Sequence, residues 1–256
     1  MNQRRRLQTI LDKLQSVPEL TVDQVCKLLS ASPATIRRDF NLLADNGKAE
    51  KTWGGIAKIE NHLDGMQPLQ LRKTQNITEK KSIAEAAVSL INDGDVIIID
   101  GGTTTLELAP LIANRKIRVI TNSLLVANEI HLRRSGWGGA EVFLSGGFLY
   151  PDSGLFIGPE ANKNLQQYHA DLAFLSVGGI DENLITNSNQ LVVETERTII
   201  SQSDKTIILA DKSKIGHKAM VKLCDPQEVD TLITNDGANE SILKSLEQSG
   251  IKIMCK

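Results

Sequence analysis

Four polar residues recur on one side of a short helical pattern near the N-terminus, where their chemistry suits contact with DNA. They are Thr35, Arg37, Arg38 and Asn41. Arginine can grip a phosphate or guanine, asparagine can pair with adenine, and threonine can contact a phosphate or a thymine methyl group. We expect Asp39, which lies among them, to pair with one of the two arginines and hold its rotamer.

The apolar spacing predicts the elements that position these side chains. Three helices are indicated by apolar residues at helical intervals: Leu7, Ile10, Leu11 and Leu14; Val22, Val25, Cys26 and Leu29; Ile36, Phe40 and Leu43. Thr21 with Gln24 forms a capping box for the second helix, Ser32 and Pro33 begin the third, and Gly47 ends it. Two short helices joined by a tight turn form a helix-turn-helix, whose second helix enters the major groove. A generic three-helix bundle is the alternative.

A β-wing is predicted to follow the third helix. Strand-like runs flank Gly54 and Gly55, and Lys48, Lys51 and Lys58 would line the hairpin and face the DNA backbone. The alternative is a plain hairpin that packs against the third helix. Trp53 is expected to pack rather than to probe DNA.

These strings carry a family resemblance. SPATIRRDFNLLADNGK followed by TWGGIAKIE resembles the DNA-binding domain of the DeoR family of bacterial transcriptional regulators. Phe40 replaces the usual Leu, Trp53 the usual wing-tip His, and Lys51 a common Arg. The predicted DNA contacts are Ser32, Thr35, Arg37, Arg38, Asn41, Lys51, Trp53, Gly54 and Gly55.

The charge is divided unevenly along the 256 residues. Residues 1–58 hold ten Lys and Arg against six Asp and Glu, a net charge of +4. The remaining 19 basic and 25 acidic groups give −6, so the total of −2 conceals a basic N-terminal segment. We therefore predict a DNA-binding domain at residues 1–58, a linker at 59–77 and an effector-binding and oligomerisation domain at 78–256. The linker could instead be an extended edge strand.

The composition excludes several other classes of protein. No apolar run spans a bilayer and no secretory signal is visible, so we expect a cytoplasmic protein without membrane contact. Cys26, Cys224 and Cys255 are isolated, which argues against a disulfide framework and a CxxC metal site. The four histidines are scattered, and neither a metal nor a cofactor is predicted.

The larger domain alternates strand and helix patterns, which predicts an α/β fold with parallel strands. The apolar strand runs are residues 95–99, 117–121, 141–145, 172–177, 206–210, 231–234 and 251–254. Thr78 is expected to cap the first helix of this domain. Five strands end in Gly, hydroxyl, amide or charged residues, which would line one polar crevice.

The residues at these strand ends suit an anion. Gly101 and Gly102 allow close backbone approach, and Thr103, Thr104 and Thr105 lead into a helix whose N-terminus could hold a phosphate. Lys212 and Lys214 could add positive charge or form a solvated turn, and Asp100 and Asp181 could accept sugar hydroxyls. The predicted effector contacts are Asp100, Gly101, Gly102, Thr103, Thr104, Thr105, Asn122, Gly146, Gly147, Asp181, Lys212 and Lys214.

This domain also resembles the DeoR-family effector domain, through strings such as DGDVIIIDGGTTTLELA and IILADKSKIG. The resemblance implies a fold similar to ribose-5-phosphate isomerase and CoA transferases. It implies a phosphorylated-sugar effector that alters DNA affinity, and it supports Thr103 to Thr105, Asn122, Gly146, Gly147, Lys212 and Lys214 as contacts. Asn183, Leu184 and Ile185 depart from the family, since the Gly usual before Thr186 is missing.

The sequence thus predicts a sugar-phosphate-responsive transcriptional regulator, a repressor of carbohydrate-metabolism genes that binds an operator as a homo-oligomer, either a dimer or a tetramer. The main alternative is a sugar-phosphate isomerase-like enzyme fused to a DNA-binding domain, with Asp100, Asp181 or Glu194 as the base. A constitutive architectural DNA-binding protein would leave the large α/β domain unexplained.

Overall fold

The computed structural model describes residues 2–14, 16–46, 48–58, 69–136, 138–151 and 153–256. The chain forms two compact units, residues 1–75 and residues 76–256. Gly47, predicted to end the third helix, and residues 59–68 of the predicted linker lie outside the described residues. Residues 69–74 of that linker form a helix rather than an extended strand. The division at residues 58 and 77 stays a prediction.

The described part of the first unit combines four helices with a three-stranded sheet. Its elements are α1 (Gln3–Leu14), β1 (Glu19–Thr21), α2 (Val22–Leu29), α3 (Pro33–Asp45), β2 (Glu50–Thr52), β3 (Gly55–Ala57) and α4 (Leu69–Thr74). β2 and β3 pair antiparallel as the predicted hairpin, and β1 adds a third strand, in the order β1-β3-β2. The sequence patterns did not predict β1.

The predicted caps of α2 and α3 are confirmed. Thr21 accepts a hydrogen bond from the backbone N–H of Gln24, whose side chain in turn accepts from the N–H of Thr21. Ser32 Oγ accepts from the backbone N–H of Thr35, and Pro33 occupies the first helical position. The predicted apolar stripe of α3 lies in one core with apolar residues of α1, α2 and β3. This packing fixes which face of α3 remains exposed.

Asp39 corrects one prediction. It is buried and pairs with Arg6 of α1 rather than with either arginine of α3. Arg6 Nε lies 2.6 Å from Asp39 Oδ2, and Arg6 Nη2 donates to Asp39 Oδ1 over 3.1 Å. Because α1 packs on the side of α3 that carries Asp39, the carboxylate reaches inward and ties the two helices together.

The second unit is built on a parallel sheet. In chain order its helices are α5 (Ile77–Val88), α6 (Ala109–Ile112), α7 (Leu124–Arg133), α8 (Pro159–Leu165), α9 (Gln190–Ser201) and α10 (Glu240–Gln248). Its strands are β4 (Val96–Ile99), β5 (Arg118–Thr121), β6 (Glu141–Leu144), β7 (Phe148–Tyr150), β8 (Leu155–Ile157), β9 (Ala170–Leu175), β10 (Gly179–Ile180), β11 (Ile185–Asn187), β12 (Ser203–Leu209), β13 (Val221–Cys224), β14 (Thr231–Thr234) and β15 (Lys252–Cys255).

All seven predicted strands form one seven-stranded parallel sheet in the order β15-β14-β12-β9-β4-β5-β6. Apolar clusters on its two faces explain why the central strands read as unbroken β-branched runs. The hairpin β7-β8 and the small sheet β10-β11-β13 were not predicted. The first helix also begins earlier than predicted, with Asn76 rather than Thr78 at its N-cap.

The pairing of Arg6 with Asp39 gives a stability prediction. Arg6→Ala leaves a buried carboxylate without its cation, and loss of one partner of such a pair is strongly destabilising. We expect faster amide hydrogen exchange throughout α1 and α3, measured by mass spectrometry, and a thermal transition of the first unit lowered by several degrees. Arg5→Ala, which removes an exposed neighbouring arginine, is the matched control. Equal exchange in the two variants would show that the pair does not hold the helices together.

Candidate nucleic-acid interface and ligand crevice

One face of α3 carries unpartnered polar side chains. Arg37, Arg38 and Asn41 are exposed, and none of them makes a hydrogen bond or ion pair with any residue that the structure describes. Thr35, at the start of this face, is half-buried, and its hydroxyl lies 2.9 Å from that of Ser32. The face therefore offers two free guanidinium groups and one free amide, which is a donor set suited to phosphates and to purine edges in a major groove.

The wing corrects the expectation for Trp53. Its side chain is fully exposed at the tip of the β2-β3 hairpin and packs against nothing. Gly54 beside it has φ +93°, a conformation that favours glycine, so the turn requires this residue. Lys48, Lys51 and Lys58 are all exposed, as predicted for a wing that faces a polyanion.

The crevice predicted for the second unit would lie where the order of the strands in the sheet reverses. From β4 the chain adds β5 and β6 on one side and then β9, β12, β14 and β15 on the other. Ligands of open α/β sheets bind outside the carboxyl ends of the strands at this switch point. Asp100 follows β4 and Ser176 follows β9, so these two residues flank it.

The backbone after β4 approaches its neighbours so closely that side chains are excluded. A Cβ atom on Gly102 would lie 1.7 Å from Ser176 Oγ, and one on Gly101 would lie 1.9 Å from a methyl carbon of Leu155. These two glycines therefore serve packing at the switch point, whatever ligand binds beside them.

The three threonines differ in what their hydroxyls do. Thr105 Oγ1 accepts from the N–H of Gly102 and donates to its carbonyl oxygen, so it closes the loop. Thr103 and Thr104 are buried, and their hydroxyls have no hydrogen-bond partner among the residues described. The expected helix is wrong in form, because a 3₁₀ turn at Thr105–Leu108 leads into the four-residue α6.

Asp100 and Asn122 lie together, as predicted for neighbouring strand ends. Asn122 Nδ2 donates to Asp100 Oδ1 over 3.1 Å, and both residues are fully buried. The predictions missed Glu196 of α9, which is also buried and whose carboxyl group affects the ionisation of Asp100. Burial, opposed by the hydrogen bond from Asn122, raises the pKa of Asp100 to about 6.

Asp181 is not at the end of the parallel sheet. β9 ends at Leu175, and Asp181 follows β10 of the small sheet instead. Its Oδ1 accepts the backbone N–H groups of Asn183 and Leu184, and its Oδ2 lies 2.6 Å from Lys218 Nζ. Burial alone would raise the pKa of Asp181, but these partners outweigh it and lower the pKa. The carboxylate is thus engaged within the chain, and its contact with an effector stays a prediction.

The remaining predicted contacts lie at other strand ends. Gly146 and Gly147 connect β6 to β7, and a Cβ atom on Gly147 would lie 2.9 Å from Ala161 of α8. Lys212 and Lys214 form a short 3₁₀ turn after β12. Lys212 is exposed and makes no ion pair with a residue in the described ranges, so its charge is available to a ligand.

Comparison with known proteins matches both units. The family described as DeoR-like helix-turn-helix domain matches residues 6–62, and the DeoR C terminal sensor domain matches residues 75–236. Similar curated proteins include the uncharacterized HTH-type transcriptional regulator YulB of Bacillus subtilis, 31% identical over 97% of this chain and 95% of that protein. The HTH-type transcriptional regulator UlaR of Escherichia coli O127:H6 is 31% identical over 99% of both chains. The chain belongs to the DeoR family of HTH-type transcriptional regulators.

Some solved structures are similar to part of this chain. Ribose 5-phosphate isomerase A from Methanocaldococcus jannaschii matches 55% of each chain, with TM-score 0.41 and 17% identity. eIF2B beta from Chaetomium thermophilum matches 63% of this chain and 49% of its own, with TM-score 0.41 and 12% identity.

Membership of the DeoR family sets the two sites in context. The free face of α3 belongs to its helix-turn-helix domain, and the switch-point crevice belongs to its sensor domain. Within the described part of the chain, no cluster of three or more His, Cys, Asp or Glu could hold a metal ion. No helix there combines the length and the apolarity that crossing a membrane requires.

The contact at the switch point gives a second prediction. Gly102→Ala forces the loop away from Ser176, and overpacking of this kind costs about 1–3 kcal/mol. Urea unfolding of the whole chain should show that loss. Gly138→Ala is the control, because a Cβ atom there meets nothing within 4 Å. In a Ser176→Gly background, which removes the obstructing side chain, Gly102→Ala should cost less. The same cost in both backgrounds would show that Ser176 is not the obstacle.

Proposed function

We propose that this protein represses carbohydrate-metabolism genes by binding operator DNA and that a phosphorylated sugar or a related metabolite controls the binding. The proposal that the protein binds DNA rests on the exposed face of α3. There Arg37, Arg38 and Asn41 have no partners among the described residues. A recognition helix needs side chains whose hydrogen-bond donors are not engaged within the protein. Because operator DNA is its target, we place its action in the cytoplasm.

The wing supports the same docking. Lys51 and Trp53 are exposed on the hairpin next to α3, where a cation and a ring can lie against the DNA backbone. Ser32, Gly54 and Gly55 would contribute through backbone position, since Ser32 caps α3 and the two glycines form the wing turn. We propose a dimer or a tetramer, because one helix reads only a short half-site.

The effector half rests on the free polar groups at the switch point. The hydroxyls of Thr103 and Thr104 lack partners among described residues, and so does the side-chain oxygen of Asn122. These groups could donate to phosphate oxygens and accept sugar hydroxyls, and Lys212 could add a positive charge. This arrangement favours a phosphorylated polyol over a purely apolar ligand.

We infer that the crevice binds without catalysis. An isomerase needs a general base that can reach a substrate carbon. Asp181 is held by Lys218 and two N–H groups, and Asp100 is fully buried between Asn122 and Glu196. Glu194, the third candidate base, is exposed on α9. This geometry favours a sensor over the enzyme alternative.

The recognition helix gives the third prediction. Arg37→Ala and Arg38→Ala should each weaken binding to operator DNA, selected from a random library by the unmodified protein and measured by fluorescence anisotropy. Loss of an arginine that contacts a base should weaken binding by about 1–3 kcal/mol and relax specificity at that base pair. Loss of an arginine that contacts a phosphate should reduce by about 1 the slope of log affinity against log salt concentration.

Lys244→Ala is the charge-matched control, since Lys244 is an exposed lysine on α10 of the sensor domain. It should leave operator affinity unchanged. If Arg37→Ala and Arg38→Ala behave like Lys244→Ala, in both affinity and salt dependence, the α3 face is not the reading surface.

The crevice gives the fourth prediction. Pentose and hexose phosphates should raise the melting temperature of the chain, whereas the same sugars without phosphate should not, because ligands stabilise the state that binds them. Thr103→Val with Thr104→Val, which removes two hydroxyls and keeps the side-chain shape, should abolish the shift. Equal shifts with free sugars would rule out the phosphate site.

Product analysis after incubation with ribose 5-phosphate separates the sensor from the enzyme. We expect ribose 5-phosphate to remain unconverted even though it raises the melting temperature of the protein. Formation of ribulose 5-phosphate that is lost in an Asp100→Asn variant would support the isomerase instead.

A further inference from the structure

Two carboxyl groups lie inside the sensor domain, where no cation of the described residues pairs with either of them. Asp100 follows β4 and Glu196 lies in the middle of α9, and each is at most 1% exposed. The two side chains lie close enough for each carboxyl group to affect the ionisation of the other. Burial of two such groups is costly unless the charge is removed or the hydrogen-bonding capacity is filled.

One oxygen atom of each carboxyl group is left without a hydrogen bond from the described residues. Asn122 Nδ2 donates to Asp100 Oδ1, and Asn187 Nδ2 donates to Glu196 Oε1 over 2.6 Å. The other oxygens, Asp100 Oδ2 and Glu196 Oε2, are buried and receive no donor from any residue that the structure describes. Two ionised carboxylates cannot bond to each other, but a single proton between them satisfies both oxygens at once.

We propose that Glu196 is a positioning residue of the proposed effector site, which shares one proton with Asp100 and thereby fixes the side chains of Asp100 and Asn122. The inference deepens the proposed function, since it concerns how the same crevice is prepared for its effector. It assigns Glu196 to a site that the sequence patterns did not connect with it.

The electrostatics agree with this geometry. Burial and then the neighbouring Asp100 raise the pKa of Glu196 well above its ordinary value, and burial raises that of Asp100 to about 6. Burial, together with nearby carboxylates that include Glu196, raises the pKa of the Cys224 thiol in β13 to about 12, so this thiol stays neutral. The polar groups on the other sides are the amides of Asn122 and Asn187 and the N–H of Gly101, which do not titrate. Near neutral pH the pair therefore holds one proton and one negative charge.

Two consequences follow for the ligand. A pair with one negative charge repels a phosphate less than a pair with two. The orientation of Asn122 is also set, because its Nδ2 is used on Asp100 and its Oδ1 is left buried without a donor. A hydroxyl group of a bound polyol would supply the missing donor. Glu196 thus affects recognition through Asp100 and Asn122, without touching the ligand.

Infrared spectroscopy tests the shared proton directly and without a ligand. At pH 7.5 the full-length protein should show the C=O stretch of a protonated carboxylic acid. Glu196→Gln should remove it, and Glu194→Gln, an exposed glutamate on the same helix, should retain it. Absence of the band from the unmodified protein, or its persistence in Glu196→Gln, would overturn the proposal.

Binding measurements then test the positioning role. The amide of Glu196→Gln can donate to Asp100 and accept from Asn187, so this variant should bind ribose 5-phosphate within about twofold of the unmodified protein. Glu196→Ala removes both bonds and should bind about tenfold more weakly or worse. Inorganic phosphate, which lacks hydroxyls for Asn122, should be far less sensitive to the alanine substitution.

The outcomes separate this inference from the proposed function. Equal binding of ribose 5-phosphate by the Gln and Ala variants would exclude a positioning role. If the band behaves as expected but no sugar phosphate binds even the unmodified protein, the shared proton stands and the effector class is wrong. If Glu196→Ala does not fold, a Gln variant that binds more than tenfold more weakly would equally contradict the proposal.

Discussion

Close backbone approach at the strand-order reversal governs the arrangement of the sensor domain. β4 and β9 are neighbours in the sheet although the chain visits β5 and β6 between them, so the loop after β4 must turn directly over the end of β9. Only a residue without a side chain fits opposite Ser176, and Gly102 is that residue. This turn places Asp100 below the loop and Thr103 and Thr104 beyond it. The positions of Thr103 and Thr104 therefore depend on this contact.

The sequence was sufficient for the parts of the fold in which local pattern and tertiary burial agree. Each long β-branched run became a strand of the parallel sheet, because burial on both faces requires an unbroken apolar segment. The Ser32 cap and the Ile36 stripe fixed α3 for the same reason. Prediction failed where short segments depend on distant partners. β1 is a strand only because β3 lies beside it, and the small sheet joins strands far apart in the chain.

The sequence predicted where candidate site residues stand along the chain, but not which residues they pair with. Strand ends in the sequence located Asp100 and Asn122, yet the partners Arg6, Lys218 and Glu196 come from other elements that no local pattern connects to them. Glu196 did leave a signal. It stands four residues after Val192 and three before Ile199, within the buried stripe of α9, where a carboxylate is out of place. A charged residue in an apolar stripe indicates a buried partner, although the sequence alone does not say which.

The negative charge that three acidic residues would present to proposed anion-binding surfaces is reduced in three different ways. Asp39 lies on the reading helix and is paired inward with Arg6, so its charge does not oppose DNA phosphates. Asp181 is held by Lys218 and backbone N–H groups, and Asp100 shares a proton with Glu196 in our proposal. Any of these carboxylates left ionised and unpaired would repel the phosphate beside it. The overall charge of −2 therefore says little about either surface, since what matters for binding an anion is which acids are paired or share a proton within the fold.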